Sequence, residues 1–145
     1  MSATIPDWIQ NHIDLYKSDP EKGHMWDSTV VGGPGKLACL LLTTVGRKSG
    51  KERTMPLLYG EADGGYVIVA SKGGAPKHPA WYLNLTANPE VKIQVADKHL
   101  TCMAETVGPD KRAEYWEMMA EIWPDYNNYQ AKTDREIPVV FLKPV

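Results

Sequence analysis

Six short runs of apolar and β-branched residues, separated by turn-forming sequences, constrain the fold of this chain more than any other feature. The runs cover residues 37–45, 53–61, 66–71, 91–95, 100–107 and 137–142. The sequences GRKSGK, EADGG and VADKH lie between them, and Gly, Asp and Ser are residues that tight turns favour. Helical segments are too few to alternate with the strands as a βαβ sheet requires. The pattern therefore predicts a mainly β domain that closes, or half closes, into a small barrel.

Four segments carry helical patterns. In residues 6–18, the apolar side chains Trp8, Ile9, Ile13 and Tyr16 share one helical face. We expect this face to pack on the core; the alternative is that its Trp and Ile side chains contact lipid. The other predicted helices cover residues 79–87 and 109–122, and residues 125–131 form a shorter helix or turn.

The length and composition predict a single domain. The 145 residues can bury a core of their own, with the N-terminal helix at 6–18 and the barrel at about 36–145. A formal net charge of −2 argues against a general role in nucleic-acid binding. The sequence has neither a membrane-spanning apolar run nor the pattern of a signal peptide, which predicts a cytoplasmic protein. Cys39 and Cys102 are then expected to be free, buried thiols.

Several common catalytic sites are not expected. His12, His24, His78 and His99 lack the spacing of metal ligands, so no metal site is predicted. The sequence GGPGK lacks the spacing of a phosphate loop, and no GxSxG sequence is present. The chain is therefore not predicted to hydrolyse nucleotides or to act through an activated serine.

Positive charge is concentrated in GRKSGKER, residues 46–53, where four basic residues flank two glycines and a serine. Glycines let backbone N–H groups approach an anion, and Arg side chains pair with phosphate or carboxylate oxygens. The turn taken alone fits an anion site and a solvated hairpin tip equally well.

A second basic segment favours the anion site. Ser71 and Lys72 end a strand, Gly residues follow, and Lys77 and His78 precede a helix that opens with Trp81. A helix N-terminus favours anions, and a Trp face can pack on a planar ring. Together the two segments indicate a phosphorylated ligand that carries a ring.

A third cluster is aromatic and comprises Trp116, Trp123, Tyr126 and Tyr129. Tyr126 and Tyr129 are three residues apart and can share a helical face. Core packing accounts for some of these side chains. The polar neighbours of the two tyrosines favour the wall of a pocket.

Three segments carry a family resemblance: GRKSGKERTMPL, VIVASKGGAPKHPAWYLNLTANPEV and EYWEMMAEIWPDYNNYQAKTDREIPVV. They resemble the deazaflavin-dependent nitroreductase family of actinobacteria, whose members are also described as quinone reductases that use coenzyme F-420. The likeness runs from about residue 40 to residue 140. It implies an FMN-binding split-barrel-like fold, a split β-barrel with an N-terminal helix and further helices packed on it.

The resemblance also implies the chemistry. Reduced F-420 would donate a hydride to a quinone such as menaquinone or to a similar electron-poor acceptor, nitroaromatic compounds included. Trp123 stands where the best-known nitroreductase of the family has Tyr, so quinone reduction is the activity that the resemblance favours. F-420 carries a phosphate and an oligoglutamate tail, which matches the positive charge of residues 46–53.

The resemblance finally implies the site residues. The phosphate would be held by Arg47, Lys48, Ser49 and Arg53. The wall along the deazaflavin would be Thr54, Met55, Pro56, Leu57 and Leu58. Further cofactor contacts would come from Val69, Ala70, Ser71, Lys72, Ala80, Trp81, Tyr82, Leu83, Asn84 and Tyr126. The acceptor pocket would contain Ser71, Trp123, Tyr126 and Tyr129, with Tyr126 and Tyr129 in catalytic roles.

Two alternatives remain open from the residues. The barrel could hold FMN in place of F-420, or the protein could be a non-catalytic carrier of a deazaflavin or flavin. Because the cofactor supplies the two-electron chemistry, a reductase of this kind needs no catalytic dyad of its own. A Tyr hydroxyl or an ordered water would then supply the proton. The sequence leaves the physiological acceptor, the oligomeric state and any membrane contact through the N-terminal helix undecided.

Overall fold

The structure is a computed structural model that describes residues 7–33 and 35–145. The strands of this part of the chain are β1 (Met25–Asp27), β2 (Lys36–Val45), β3 (Glu52–Leu58), β4 (Gly60–Ala62), β5 (Gly65–Val69), β6 (Glu90–Val95), β7 (Lys98–Thr106) and β8 (Val139–Pro144). The helices are α1 (Asp7–Ser18), α2 (Pro20–His24), α3 (Ala80–Ala87), α4 (Pro109–Ile122) and α5 (Asp125–Ala131). Two short 3₁₀ turns cover Ser28–Val31 and Lys72–Gly74.

The strands form one antiparallel sheet in the order β1-β2-β6-β7-β8-β5-β4, and β3 also pairs with β2. β3 and β4 are separated by Tyr59 alone, yet they lie at opposite ends of this order. A flat sheet cannot bring its two ends within one residue of each other, so the sheet must curl. The result is the half-closed barrel that the strand pattern predicts, and the predicted fold class is confirmed.

Two groups of buried side chains hold the helices on this barrel. Inside the curl, Leu40, Leu42 and Ile68 pack with Trp81 and Leu85 of α3. On the outside, α4 and α5 cover β5 and β8 through a second group of side chains, namely Val67, Tyr115, Met119, Trp123, Tyr126 and Val139. This packing fixes α5 next to the end of β5, where the candidate site lies.

The N-terminal helix is anchored by one fully buried tyrosine. The Tyr16 hydroxyl lies 2.8 Å from the carbonyl oxygen of Cys39 and 3.1 Å from that of Gln94, and it accepts a hydrogen bond from the amide of Ala96 at 2.8 Å. Burial raises the pKa of this hydroxyl to about 12, so it remains a donor at neutral pH. Tyr16 thus ties α1 to β2 and to the end of β6.

The predicted buried face of this helix is partly wrong. Ile13 and Tyr16 are buried and Ile9 is half-buried, but the Trp8 side chain is 45% exposed. His12 is buried in its place, and its Nε2 lies 2.8 Å from the carbonyl oxygen of Gly23. A polar side chain could take this position because α2 turns back and supplies the acceptor. Pro6, the predicted first residue of the helix, lies outside the described residues.

Several boundaries of the observed elements differ from the predicted ones. The run 53–61 divides at Tyr59 into β3 and β4, and β1 and α2 were not predicted. The last strand begins at Val139 and not at residue 137, because the Ile137 amide and carbonyl bond to Gln130 and Arg112 instead of to a neighbouring strand. Cys39 and Cys102 are free and buried, as predicted. No helix among residues 7–33 and 35–145 is long and apolar enough to span a membrane.

Candidate cofactor and acceptor site

One large cavity of about 1220 Å³ lies between the β2–β3 hairpin, the segment after β5, α3, α5 and α1. Pockets for drug-sized ligands span roughly 300–1,000 Å³, so this one has room for a cofactor and a second molecule together. All but three of the residues predicted for the site line it: Arg47, Lys48, Ser49, Arg53, Thr54, Met55, Pro56, Leu57, Leu58, Val69, Ser71, Lys72, Ala80, Trp81, Asn84, Trp123, Tyr126 and Tyr129.

Ala70, Tyr82 and Leu83 are the three that the structure places elsewhere. The Ala70 side chain is fully buried in the barrel core. α3 turns Ala80, Trp81 and Asn84 towards the cavity, and helical spacing puts Tyr82 and Leu83 on another face. The Tyr82 hydroxyl instead pairs with the Thr106 hydroxyl at 2.8 Å.

At one end of the cavity is the cationic turn, residues 46–51, which joins β2 to β3. The Gly46 amide donates to the Lys51 carbonyl at 2.8 Å, the Gly50 amide donates to the Gly46 carbonyl at 2.9 Å, and Gly50 has a φ of +71°. A glycine at that φ avoids the strain that a Cβ would introduce. The turn therefore presents Arg47 and Lys48 at the cavity, while Lys51 of the same turn does not line it.

Asn84 fastens the cationic turn to α3. Its side-chain oxygen accepts a hydrogen bond from the Arg47 amide at 3.1 Å, and its side-chain nitrogen donates to the Thr44 hydroxyl at 3.2 Å. Asn84 is only 5% exposed, so both bonds are shielded from water. The sequence predicted Asn84 as a cofactor contact, and the structure shows that its amide also positions the turn.

Two further cations, Lys72 and Arg53, line the same cavity. Lys72 lies on the basic loop, residues 70–78, and Arg53 is the second residue of β3. Among residues 7–33 and 35–145, no carboxylate lies within 4.0 Å of the charged groups of Arg47, Lys48, Arg53 or Lys72. Glu52 is the one carboxylate in the described lining, and it pairs with Lys92 at 3.4 Å. Because the four cations outnumber it and are not paired to it, this end of the cavity favours an anionic ligand.

The wall between the two ends is β3. This strand pairs with β2 alone among the described strands, so its other edge is open. Pro56 sits there, as edge strands allow. Thr54 pairs with Thr43 through their hydroxyls at 2.8 Å, and Met55 and Leu57 are half-buried. Backbone groups and apolar side chains of one strand thus form a flat wall for a ring system.

The other end of the cavity is the aromatic wall, formed by Trp123, Tyr126 and Tyr129. The Trp123 indole N–H donates to the Tyr129 hydroxyl at 3.1 Å, and the two tyrosine rings meet edge to face with centroids 6.1 Å apart. Tyr126 is 6% exposed, and its hydroxyl has no hydrogen-bond partner within the described ranges. Since no fully buried side-chain N or O atom there is left unpaired, this hydroxyl keeps some accessible surface, and Tyr126 lines the cavity. Burial raises the pKa of Tyr126 well above its usual value, so the group stays protonated.

The N-terminal region also lines the cavity, which sequence reasoning missed. Residues of α1 contribute, and Trp8, Trp26 and His12 stack in series, with ring centroids 6.0 Å apart in each pair. The helical periodicity of residues 6–18 could have indicated a covering helix but not what it covers. Within the same described ranges, no group of three or more His, Cys, Asp or Glu side chains is placed to hold a metal ion.

Residues 17–144 match the profile of one protein family, described as F-420H(2)-dependent quinone reductase. The chain belongs to this family. A quinone reductase of Mycobacterium tuberculosis, described as F-420H(2)-dependent, is 45% identical over 112 residues, which cover 75% of each chain. The predicted family resemblance is thereby confirmed.

Solved structures with a similar fold include one that is described as an F-420-dependent reductase. A structure described as an F-420-H2 dependent reductase is 47% identical, with a TM-score of 0.67, and the match covers 72% of this chain and 93% of the other. Another, described as a domain-swapped dimer, is 39% identical, with a TM-score of 0.70, and covers 94% of this chain and 98% of its own. The haem storage protein HutZ of Vibrio cholerae, at 18% identity and a TM-score of 0.58 over 74% of this chain and 81% of its own, shares the fold alone.

Proposed function

We propose that this protein uses reduced F-420 to reduce a quinone or a similar electron-poor acceptor. The observation that carries the proposal is one cavity that, among the described residues, has cations without a carboxylate partner at one end and a tyrosine hydroxyl without a hydrogen-bond partner at the other. A reductase with a large anionic cofactor needs both ends, one to hold the cofactor and one to receive the acceptor.

The residues fit a phosphorylated deazaflavin. Arg47, Lys48 and Arg53 offer charge-assisted hydrogen bonds to a phosphate or to carboxylates. The start of α3 at Ala80 adds backbone N–H groups without a side-chain cap. β3 supplies a flat wall for the ring. When bound, the deazaflavin supplies two-electron reducing chemistry, and the protein binds, orients and excludes water.

The chain's own part in the chemistry lies at the aromatic wall. A quinone oxygen gains negative charge as the quinone is reduced. The protonated Tyr126 hydroxyl, which has no competing partner in the described part of the chain, can donate a hydrogen bond to that oxygen. Its raised pKa makes it a better hydrogen-bond donor in place than a source of a free proton. Tyr129, whose hydroxyl already accepts from Trp123, still has its own proton to donate.

The test is turnover by the purified protein with reduced F-420 and a soluble quinone, followed by the cofactor's absorbance. We expect turnover with reduced F-420 and weaker binding of FMN in a parallel titration. Turnover with reduced FMN and none with reduced F-420 would support the flavin alternative. Tight binding of F-420 without turnover of any quinone or nitroaromatic compound would identify a carrier.

A further inference from the structure

Arg135 directs all of its side-chain hydrogen bonds to the basic loop, residues 70–78. Its Nε donates to the Ala75 carbonyl at 2.7 Å and its Nη2 donates to the Ser71 carbonyl at 2.6 Å. Its Nη1 lies 3.2 Å from the Ala70 carbonyl and 3.1 Å from His78 Nδ1. One planar group therefore bridges both ends of the loop. No residue in this role is predicted by the sequence patterns, because Arg135 is about sixty residues away in the chain.

The loop that Arg135 holds has an unfavourable backbone. Lys72 has a φ of +47°, and Gly73 and Gly74 follow at +62° and +81°. A left-handed backbone at a lysine is uncommon and carries strain, which the surrounding contacts must offset. This conformation places Lys72 and Gly73 on the cavity surface. Without the bridge from Arg135, the strained backbone of the loop would relax, and the charged group of Lys72 would move.

The same contacts join the basic loop to the aromatic wall. A Cβ on Gly74 would lie 2.7 Å from the Tyr129 carbonyl oxygen, so loop and α5 are in direct contact. Gln130, next to Tyr129, donates to the Arg135 carbonyl at 2.8 Å. Lys132 Nζ donates to the Gly73 carbonyl at 3.3 Å. The loop that faces the cofactor and the helix that faces the acceptor are thus held as one unit.

We propose that Arg135 is a positioning residue, which fixes the basic loop so that Lys72 meets the anionic part of the cofactor at a set distance from Tyr126 and Tyr129. The proposal rests on the proposed function in one respect, the assignment of Lys72 to a cofactor contact. Arg135 itself does not line the cavity, and it acts through the carbonyls that it binds.

The test uses Arg135→Gln, Arg135→Lys and Lys72→Ala, with Arg112→Gln as a matched control. Arg112 is also half-buried and also bonds a backbone carbonyl, that of Ile137; it bonds the Gln130 side chain as well, but it makes no bond to the basic loop. Hydrogen exchange of residues 70–78 without ligand is measured first, and then the Kd for F-420. The hydrogen-exchange readout does not depend on the proposed activity. A failure of the proposed function in the wild type can therefore be distinguished from a failure of the positioning role of Arg135.

We expect faster exchange in residues 70–78 and a Kd raised about tenfold in both Arg135 variants, since Lys keeps the charge but cannot bridge both ends of the loop. In the Lys72→Ala background, Arg135→Lys should change the Kd little further, because Arg135 acts through Lys72.

If Arg135→Gln does not fold, the Arg135→Lys variant alone decides. Full rescue by Lys would reduce the role to charge, and independent, additive effects of Lys72 and Arg135 would overturn the proposal. Equal loop exchange in Arg112→Gln and Arg135→Lys would also overturn it.

Discussion

Tyr126 and Tyr129 share a helix face but differ in their hydrogen bonds. Tyr129 accepts from Trp123, whereas the Tyr126 hydroxyl has no partner in residues 7–33 and 35–145. Both hydroxyls still have a proton to donate, but Tyr126 is buried and Tyr129 is half-buried, and a hydrogen bond is electrostatically stronger in the less hydrated position. Tyr126 is therefore the residue whose hydroxyl we expect to matter more.

We predict that Tyr126→Phe lowers kcat for a soluble quinone by about 10²-fold, the low end for the loss of an acid or charge-stabilising group. The Kd for F-420 should barely change, because the cations lie at the other end of the cavity. Tyr129→Phe should have a smaller effect. Tyr66→Phe is the control, since Tyr66 lies outside the cavity lining. Unchanged kcat and KM in both cavity variants would leave the tyrosines as packing residues, with water as the proton source.

The cationic turn offers a second prediction at this scale. Arg47→Ala should weaken F-420 binding by about 1.5–3 kcal/mol, the range for a hydrogen bond to a charged group. Added salt should weaken wild-type binding as well. Lys51→Ala is the matched control, because Lys51 belongs to the same turn but does not line the cavity. Equal binding by wild type and Arg47→Ala would show that the turn is only a solvated tip.

His78 predicts a pH dependence of stability. Burial, and then the nearby Arg135 charge, lower the pKa of His78 below its usual value of 6.5. The folded state therefore resists protonation that the unfolded chain accepts, so stability is fully present above about pH 6.5 and falls as the pH drops towards the lowered pKa. His78→Gln should remove this contribution to the pH dependence of the unfolding free energy. The measurement is the difference in urea-unfolding free energy between the two proteins from pH 8 to pH 5, and a constant difference would refute the assignment.

At the scale of the elements, α1 closes one side of the cavity because Tyr16 ties it to the sheet. The hydroxyl satisfies backbone groups of two strand residues, Cys39 and Gln94, and of Ala96, which follows β6, at a site with no exposure to water. The same helix carries Trp8 and Ile13 along the cavity. The stability of this contact and the shape of the site are therefore linked.

Tyr16→Phe should lower the free energy of unfolding by about 1–3 kcal/mol, since it leaves buried backbone groups without their partner. The KM for the acceptor should rise, because α1 is less firmly placed. Ser18→Ala is the control: its hydroxyl bond to the Leu15 carbonyl is exposed and belongs to the same helix. Urea titration and steady-state kinetics provide both readouts. A Tyr16→Phe variant no less stable than Ser18→Ala would contradict the anchoring role.

At the scale of the whole molecule, the curled sheet and its helices enclose both ends of the site, and we expect the two buried thiols to take no part in the reaction. Burial raises the pKa of Cys39 to about 12 and of Cys102 to about 11, so both are protonated at neutral pH. We predict that turnover survives a chelator and the double substitution Cys39→Ala with Cys102→Ala. kcat is the readout, because a smaller side chain at Cys39 alters the cavity and hence KM. Loss of turnover with the chelator, or in the folded double variant, would contradict this.

Local patterns were enough to predict most of the elements and both basic segments. Strand alternation, turn residues and helix N-terminal signals depend on neighbours in the chain, and so residues 46–53 and 71–78 could be singled out before any tertiary structure. The family resemblance then named residues that, with the exception of Ala70, Tyr82 and Leu83, line one cavity.

Other features depended on which faces meet in space. The two basic segments become one site only because the sheet curls and because Asn84 of α3 bonds to the Arg47 amide of the cationic turn. Trp8 lies exposed against Trp26 because α2 and β1 return beneath α1. Arg135 bonds to carbonyls that are about sixty residues distant. Contacts between segments far apart in the chain leave no periodic signal in either segment, so tertiary structure alone decides them.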